Sequence, residues 1–394
     1  MVWLTREEEE ILKGARGEGL AEALEAVVKV AEILGAPRLI KVVSAHISGI
    51  SYRNLGVEGV EYLEELAEKG LRFAVPTTIN PAGFDMERYG EMGVGVREHE
   101  LQMRALKALA RMGAQATLSC TPYLIYPPRF GDHLAWAESS AVLYANSVLG
   151  ARSNREGGPF SVLEALVGRA PYVGLHTDEA RKPSVVLDLR RIRDFVEASR
   201  SYSALGYLVG EVVGKGVPAL HDPPGGLKEP GNLRVFLAAV GASSSIGMVL
   251  IEGISPEFTL SEGLERIEPE VSDLTEILES WRCEDFDAAV LGCPHLSPDE
   301  LLDLANRLKG KTLRKPLFVF TSRWSAVVAR AAVEKLRSMG VRVYSDTCMV
   351  VGNLSALGVH RCATDSAKAA YYLSSQGYKV ALMPREALLE YVIG

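Results

Sequence analysis

The sequence predicts an α/β protein of several lobes, in which largely parallel sheets are flanked by helices. Short apolar runs alternate with longer amphipathic segments along most of the chain, as expected for strands joined by crossover helices. Loops rich in Gly, Pro and small polar residues follow several of the runs, where open α/β sheets bind ligands. The length of 394 residues exceeds that of one usual domain, which favours two or three lobes.

The amino-terminal segment is predicted to be helical, because Thr5 and Glu8 form a capping box and apolar residues keep helical spacing from Ile11 to Leu34. A buried strand is predicted next, at 39–43. Further strands are predicted near 72–75, 115–118, 172–175, 184–187, 218–220, 288–291, 317–320, 341–344 and 379–383. Further helices are predicted near 97–112, 133–148, 189–213, 230–241, 298–309, 323–339 and 365–375.

The lobes are expected to divide near residue 279. Residues 1–278 are interpreted as α/β lobes with an internal boundary near 160 or at the Gly/Pro-rich loop 221–226. Residues 279–394 are predicted to form a doubly wound lobe of four strands. Within it, Ser297, Pro298 and Glu300 give the capping signal of a helix that begins just after Cys293.

Composition limits the class of function. The net charge of −7 disfavours general binding of nucleic acids or anionic membranes. The amino terminus lacks the basic and apolar regions of a signal peptide, and no apolar stretch reaches the ~18–20 residues of a membrane span. Five cysteines are an odd number in a long chain, which is typical of reduced thiols. A soluble cytoplasmic protein is expected.

Three cysteines are the most informative residues for function. Cys120, Cys293 and Cys348 each follow a predicted strand among turn-forming residues, so a folded sheet would bring their loops to one edge. Three thiolates leave one corner of a cubane iron–sulfur cluster without a protein ligand, and such an iron can act as a Lewis acid. This arrangement favours a dehydratase over an electron carrier. Cys283 and Cys362 are interpreted as ordinary cysteines.

Other uses of these cysteines remain open at this stage. A structural zinc site usually needs paired ligand spacings that the chain lacks, and a disulfide is disfavoured in the cytosol. The main alternative is a clusterless protein, either a metabolite-binding subunit or an enzyme with one nucleophilic cysteine and a histidine base. The candidate bases are His46, His176 and His295.

Polar loops after other predicted strands supply further candidates. The loop 44–55, with hydroxyl groups around Gly49, suits a phosphate or carboxylate, and 76–81 again offers polar donors between prolines. Glu138 is flanked by apolar residues, which favours an acid–base role. The run 146–159, which includes Arg152, is typical of an anion-binding loop, and Lys368 is expected near the cysteines.

Several of these motifs together resemble one family. They are Ser48-Gly49-Ile50-Ser51, Thr77-Thr78-Ile79-Asn80-Pro81, Ser119-Cys120-Thr121-Pro122-Tyr123, Glu138-Ser139, Gly150-Ala151-Arg152-Ser153-Asn154, Gly292-Cys293-Pro294-His295 and Asp346-Thr347-Cys348. The set resembles the aconitase X family over essentially the whole chain. The resemblance implies an aconitase-like catalytic core and a 4Fe-4S cluster that is held by Cys120, Cys293 and Cys348 and has one iron without a protein ligand.

The resemblance also implies an activity and a substrate site. The expected reaction is the dehydration of (R)-5-phosphomevalonate to trans-anhydromevalonate 5-phosphate in an archaeal mevalonate pathway, although some relatives are hydroxyproline dehydratases. Glu138 and Lys368 are the expected catalytic residues. The expected substrate-binding residues are Ser48, Gly49, Ile50, Asn80, Pro81, Glu138, Ser139, Arg152 and Lys368.

A partner is implied as well. Bacterial members of the family often carry a fused small swivelling domain, whereas this sequence ends at Gly394, soon after its last predicted strand. The resemblance therefore implies a heterodimer in which a separate small subunit closes the cleft and contributes a catalytic serine. The large chain alone is expected to be inactive or nearly so.

Overall fold

The computed structural model describes residues 2–260 and 262–393. Its strands alternate with helices along most of the chain, as the sequence predicts. The strands are β1 Leu39–Lys41, β2 Ser44–Ser48, β3 Thr77–Asn80, β4 Leu134–Trp136, β5 Arg169–Pro171, β6 Val185–Asp188, β7 Pro218–His221, β8 Leu250–Ile251, β9 Arg266–Ile267, β10 Ala288–Leu296, β11 Leu317–Thr321, β12 Arg342–Ser345, β13 Arg361–Thr364 and β14 Lys379–Leu382.

The helices surround these strands, and those with amphipathic sequences bury their apolar faces against the sheets. They are α1 Arg6–Leu12, α2 Glu18–Ile33, α3 Tyr52–Glu68, α4 Val96–Arg111, α5 Ser139–Ser147, α6 Gly158–Val167, α7 Arg193–Ser199, α8 Tyr202–Val213, α9 Pro230–Ser243, α10 Val271–Ser280, α11 Pro298–Arg307, α12 Arg323–Val328, α13 Arg330–Ser338, α14 Ala367–Ser375 and α15 Arg385–Val392. No helix in the described ranges is long and apolar enough to cross a membrane.

Three parallel sheets form the framework. Their strand orders are β3-β2-β4, β8-β7-β6-β9 and β12-β11-β10-β13-β14, and a small antiparallel pair, β1-β5, lies beside the first. Every pairing inside the three larger sheets is parallel. Parallel sheets need cover on both faces, which explains why so many of their strand residues are buried. The α/β prediction is confirmed.

Helix α9 links the sheets. It packs against α8, against α5 beside the three-stranded sheet, and against α14 and β10 in the five-stranded sheet. Its contact with α8 is close because Gly206 lies there, and a Cβ on this residue would be 2.1 Å from the carbonyl oxygen of Phe236. One large apolar core therefore runs from the four-stranded sheet through α9 to one face of the five-stranded sheet.

The structure differs from the predicted elements at several points. No strand covers 72–75, and 115–118 forms only the isolated bridge of Gln115 with Thr78, because Leu118 adopts φ 46° and turns the chain away. Segment 169–176 pairs at Arg169–Pro171 rather than at 172–175. The doubly wound sheet has five strands instead of four, since β13 had not been predicted.

Three predicted helices are interrupted. The segment 133–148 begins as strand β4 and becomes helical only after Glu138, which caps α5 through its side chain. The segment 189–213 is divided between α7 and α8, because Arg200 has φ 53° and ends the first helix. The segment 323–339 is divided at Ala329 between α12 and α13. Apolar content alone does not distinguish a short buried strand from a buried helix, which accounts for the first difference.

Candidate active site

A cavity of about 770 Å³ lies where the carboxyl ends of the three-stranded and five-stranded sheets come together. Strands β2, β3 and β4 deliver one set of lining residues, while β10 and the loops after β12 and β13 deliver another. All three predicted ligands, Cys120, Cys293 and Cys348, line it. The other lining residues that matter below are Ser48, Gly49, Asn80, Pro81, Glu138, Ser139, Arg155, Glu156, Ser244, His295, Lys368, Tyr372 and Gln376.

The segments that carry Cys120 and Cys293 are fixed against each other, although Cys293 lies within strand β10 rather than in a turn after it. The backbone N–H of His295, two residues after Cys293, donates to the Cys120 Sγ at 3.3 Å. Gly292 has φ 107°, and a Cβ there would meet the carbonyl oxygen of Phe320 at 2.0 Å. Only glycine fits this position, so the close approach of β10 to β11 determines where Cys293 is presented.

The Cys348 loop is anchored by charged residues from two lobes. The Asp85 carboxylate accepts two hydrogen bonds. One comes from the backbone N–H of Ser345 at 2.7 Å, and the other comes from the guanidinium of Arg323 at 2.9 Å. The same guanidinium pairs with Asp346, two residues before Cys348. These contacts hold the end of β12 against the segment that follows β3.

Burial keeps the three thiols neutral in the protein without a bound metal. It raises the pKa of Cys293 to about 12, although the nearby charge of Lys368 opposes this effect. Burial also raises the pKa of Cys348, and it raises the pKa of Cys120 well above the usual value of a thiol. A reactive cysteine needs a lowered pKa, so these thiols lack the environment of a nucleophile.

None of the three candidate histidine bases contacts a cysteine sulfur through its ring. The His46 Nδ1 lies 2.7 Å from the Thr78 Oγ1, and the His295 Nε2 lies 2.8 Å from the carbonyl oxygen of Thr347. The His176 Nδ1 lies 2.9 Å from a ring nitrogen of His133 instead. The geometry therefore does not support a cysteine–histidine dyad.

The donor set is compatible with a metal cluster. Cys120, Cys293 and Cys348 line one cavity from three separate segments of the chain. Across residues 2–260 and 262–393, no group of three His, Cys, Asp or Glu side chains could hold one metal ion. Thiolates from separate segments can each bind one corner of an iron–sulfur cluster. All five cysteines are free, and Cys283 and Cys362 lie outside the cavity lining.

Glu138 and Lys368 form a buried ion pair at the cavity wall. The Lys368 Nζ donates to the Glu138 Oε1 at 2.6 Å and to the Ser139 Oγ at 3.2 Å, and the two charged side chains are 12–13% exposed. The Ser48 Oγ donates to the other carboxylate oxygen at 3.4 Å. Burial disfavours both ions, but their attraction prevails: Lys368 holds the pKa of Glu138 at about 2, and Glu138 raises that of Lys368.

Asn80 is a fully buried amide at the cavity wall, beside Pro81. The ring of His46 is its polar neighbour in the chain, but neither the oxygen nor the nitrogen of the amide makes a hydrogen bond of normal geometry. The Nδ1 of His295, also at the wall, is likewise unpaired. Buried polar groups normally have partners, so these atoms indicate a surface that binds a polar ligand or water.

Two expected substrate-binding residues do not line the cavity. Ile50 is buried in the core of the first lobe. Its N–H and that of Gly49 both donate to the Asn80 carbonyl oxygen, so these amides do not form a free anion-binding turn. The guanidinium of Arg152 binds the His176 carbonyl oxygen and Asp178.

Arg155, three residues later, lines the cavity instead of Arg152. Its guanidinium donates to the carbonyl oxygens of Ser244 and Gly241 at 2.6 Å each. The sequence predicts an anion-binding loop at 146–159 and indicates Arg152 within it as a substrate-binding residue. Both arginines lie in that loop, and no sequence pattern distinguishes which of them faces the cavity.

Sequence reasoning missed Tyr372 and Gln376, although a signal was available. Both follow Lys368 at intervals of four residues, which places all three on one face of a helix. Tyr372 lies on α14 and Gln376 caps its end, and both line the cavity. Glu156, within the run 146–159, was also not selected.

The chain matches family models along nearly its whole length. Residues 1–179 match the model described as Aconitase X first domain, 183–279 the second domain, and 286–394 the third domain. The boundary between the first two models therefore lies between the two positions considered above. The third model covers the five-stranded sheet.

The similarity of this chain to known proteins indicates the same family. The chain is 40% identical to a Thermococcus kodakarensis protein and 41% identical to an Aeropyrum pernix protein, both named phosphomevalonate dehydratase large subunit, over 98–99% of this chain and 99% of each relative. It is 35% identical to a cis-3-hydroxy-L-proline dehydratase of Pseudomonas aeruginosa over 92% of this chain and 65% of that protein. A crystal structure of Thermococcus kodakaraensis aconitase X, in the holo-form, superposes with a TM-score of 0.90 at 39% identity, covering 99% of this chain and 100% of that one. The chain belongs to the aconitase X family.

Proposed function

We propose that the chain is the large catalytic subunit of a cytoplasmic hydro-lyase that dehydrates (R)-5-phosphomevalonate to trans-anhydromevalonate 5-phosphate. The observation that carries the proposal is its similarity to archaeal relatives of that name, at 38–41% identity over 89–99% of this chain. The hydroxyproline dehydratases are less similar, at 32–35% identity. Dehydration of a hydroxyproline is therefore the second candidate.

Cys120, Cys293 and Cys348 would hold a 4Fe-4S cluster at the cavity wall. Their shared cavity, their lack of disulfide partners and their position on three separate segments of the chain support this assignment. When bound, the cluster would supply a Lewis-acidic iron, with no protein ligand, that makes a substrate hydroxyl a better leaving group. The thiols must lose their protons on binding, so binding is expected to release protons.

The chain's own residues would bind and orient an anionic substrate. Lys368 and Arg155 are the cations of the cavity wall, and Asn80 and Ser139 add neutral hydrogen-bonding groups. Lys368 keeps its charge because Glu138 raises its pKa, so it remains an electrostatic anchor for a carboxylate or phosphate at neutral pH. Such fixed charges orient the leaving hydroxyl and the proton to be removed, which is a large source of rate acceleration.

A small subunit would complete the enzyme. The relatives are named large subunits, which supports a separate partner. Four residues of the cavity lining, Asn54, Gly157, Ser245 and Gln376, are exposed to solvent, and a partner over this open side would exclude water from the reaction. The family resemblance assigns a catalytic serine to that partner.

The experiment is anaerobic purification with iron and sulfide analysis, followed by a dehydration assay with and without a small subunit. Brown protein with about four irons per chain that is active on phosphomevalonate only with its partner is expected. Cys120→Ser should lose iron and activity together, whereas Cys362→Ser, a buried cysteine of β13 outside the cavity, should keep both. Colourless protein after anaerobic reconstitution would refute the cluster, and activity only on a hydroxyproline would establish the second candidate.

A further inference from the structure

One cation of the cavity wall lacks an ion-pair partner among the residues that the structure describes. This cation is Arg155, whose guanidinium contacts only backbone carbonyl oxygens. The other wall cation, Lys368, is paired with Glu138 at 2.6 Å. Because a paired charge is partly neutralised, Arg155 presents the stronger net charge to an anionic ligand.

The Arg155 guanidinium is held in place before any ligand binds. Its two terminal nitrogens donate to the carbonyl oxygens of Gly241 and Ser244 at 2.6 Å each, at the end of helix α9. These neutral acceptors use two of the five N–H donors of an arginine, so further donors remain for a ligand. The planar guanidinium matches the oxygens of a phosphate or carboxylate. Arg155 is therefore a fixed anion-binding group in the cavity.

The start of helix α6 adds a second feature that favours an anion. Its N-cap, Gly157, lines the cavity and makes no side-chain hydrogen bond to the helix. The first N–H groups of a helix and its dipole attract negative charge. Glu156 lies between the two features, and burial raises the pKa of its carboxyl group to about 7, although a hydrogen bond with Asn154 opposes this effect. It is therefore only partly ionised at neutral pH and repels an anion less than an ordinary glutamate would.

The two wall cations lie at different parts of the cavity. Lys368 lies beside the cysteines, since its charge opposes the rise in the pKa of Cys293. Arg155 lies on the solvent side, because the cavity residues next to its loop and to its carbonyl partner, Gly157 and Ser245, are exposed. The cavity thus has one cation at its cysteine end and another at its open end.

The proposed substrate carries two anionic groups at unequal distances from its reacting carbons. Its carboxylate is attached to the carbon that loses the proton, whereas its phosphate lies two carbons beyond the carbon that loses hydroxide. We propose that Arg155 binds this phosphate and thereby selects a phosphorylated substrate, while Lys368 binds the carboxylate. The inference rests on the proposed dehydration of phosphomevalonate and assigns the end of the cavity that recognises the phosphate.

The test compares (R)-5-phosphomevalonate with (R)-mevalonate, which lacks the phosphate, as substrates of the complex of cluster-loaded large subunit and small subunit. Arg155→Met removes the guanidinium and should lower kcat/KM for phosphomevalonate by about 10²-fold, as expected when charge-assisted hydrogen bonds are lost. The kcat/KM for mevalonate should stay close to that of the wild type. Loss of the same factor for both substrates would show a structural role and would overturn the inference.

Two further variants separate the charge from the contact with α9. Arg155→Lys keeps the positive charge without the planar fork, so it should recover part of the kcat/KM for phosphomevalonate. Arg72→Met is the matched control, because Arg72 donates to the carbonyl oxygen of Arg111 at the end of helix α4, outside the cavity. This control should keep the wild-type kcat/KM for phosphomevalonate. If Arg155→Met behaves like Arg72→Met, the inference is wrong.

Calorimetric binding of inorganic phosphate to the same complex separates this inference from the proposed function. The wild type and Arg72→Met should bind phosphate alike, and Arg155→Met should bind it at least about tenfold more weakly. If the wild-type complex contains its cluster but does not dehydrate phosphomevalonate, the proposed function fails, and phosphate binding still decides the role of Arg155. Equal binding by the wild type and Arg155→Met, or no binding by the wild type, would overturn the inference whatever the substrate.

Discussion

Lys368 and Glu138 depend on each other, because each is a nearly buried ion whose main partner is the other. Removing one leaves the other charge buried without compensation, which typically costs about 3–5 kcal/mol, whereas removing both avoids that cost. We therefore expect Lys368→Met to lower the free energy of unfolding by about 3 kcal/mol. The double variant Lys368→Met/Glu138→Gln should recover part of that loss.

Denaturant titration at pH 7 of Lys368→Met, Glu138→Gln and the double variant measures this coupling. Activity should be lost in the two variants that lack Lys368, because their cavity has lost its cationic anchor for an anionic substrate. Equal stability of Lys368→Met and the wild type would show that the pair contributes nothing to folding, contrary to the geometry.

Glu164 makes the stability of the protein depend on pH. Its carboxyl group is fully buried on α6 without a hydrogen-bond partner, and burial raises its pKa well above 4.5. Above pH 4.5 the unfolded chain ionises this group while the folded chain keeps it neutral, so its contribution to stability falls as pH rises. Glu164→Gln, which cannot ionise, should therefore be more stable than the wild type at pH 8 and equally stable at pH 4.

Thermal unfolding at the two pH values measures this effect. The variant should unfold at a higher temperature than the wild type at pH 8, and this gain should be absent at pH 4. A gain of the same size at pH 4 would contradict the explanation, because it would then arise from packing rather than from ionisation.

At the scale of elements, the strand β10 determines the position of Cys293 through one glycine. Gly292→Ala introduces a Cβ 2.0 Å from the Phe320 carbonyl oxygen at φ 107°, so β10 and β11 must separate. We expect a loss of at least about 3 kcal/mol of stability, together with loss of bound iron. Gly310→Ala is the control, because Gly310 also has a positive φ but has no atoms nearby.

Gly310→Ala should lower the free energy of unfolding by only about 1 kcal/mol and should retain its bound iron. Iron analysis and denaturant titration of both variants measure the difference. If Gly292→Ala binds iron like the control, the close approach of the two strands does not determine the Cys293 position.

Elements with local signals could be predicted from the sequence. The capping boxes of Thr5–Glu8 and Ser297–Glu300 are present and begin α1 and α11. The prediction failed where a backbone turn without glycine ends an element, as at Leu118 and Arg200 with their positive φ values. Only the packing of the folded chain stabilises such conformations, so neighbouring residues carry no signal for them.

At the scale of the whole molecule, the site could be predicted only in part. The cysteines were recognisable because each lies among turn-forming residues, and the structure brings all three to one cavity, although Cys293 lies within strand β10 rather than in the predicted turn. Arg152 and Arg155 could not be distinguished, because which one faces the cavity depends on the distant carbonyls of Gly241 and Ser244 at the end of α9. Contacts between lobes of this kind have no counterpart in local sequence patterns.

A contact between the first and third domains holds the loop that carries Cys348. Asp85 makes the main polar interactions of this contact. This fully buried carboxylate accepts the Ser345 N–H and binds Arg323. Asp85→Asn keeps the shape but removes the charge, which leaves the guanidinium without its most buried partner. We expect a loss of about 3 kcal/mol of stability and faster loss of iron to a chelator, because the loop that carries Cys348 is no longer fixed.

Glu87→Gln is the matched control, since Glu87 binds the same guanidinium from an exposed position, with 73% of its side chain accessible. Exposed ion pairs contribute about 0–1 kcal/mol, so this variant should resemble the wild type in both stability and iron retention. Chelator-induced iron loss, followed by visible absorbance, and denaturant titration of both variants measure the difference. If Asp85→Asn retains iron as long as Glu87→Gln, then the third domain holds Cys348 by itself, and the contact between domains contributes only to folding.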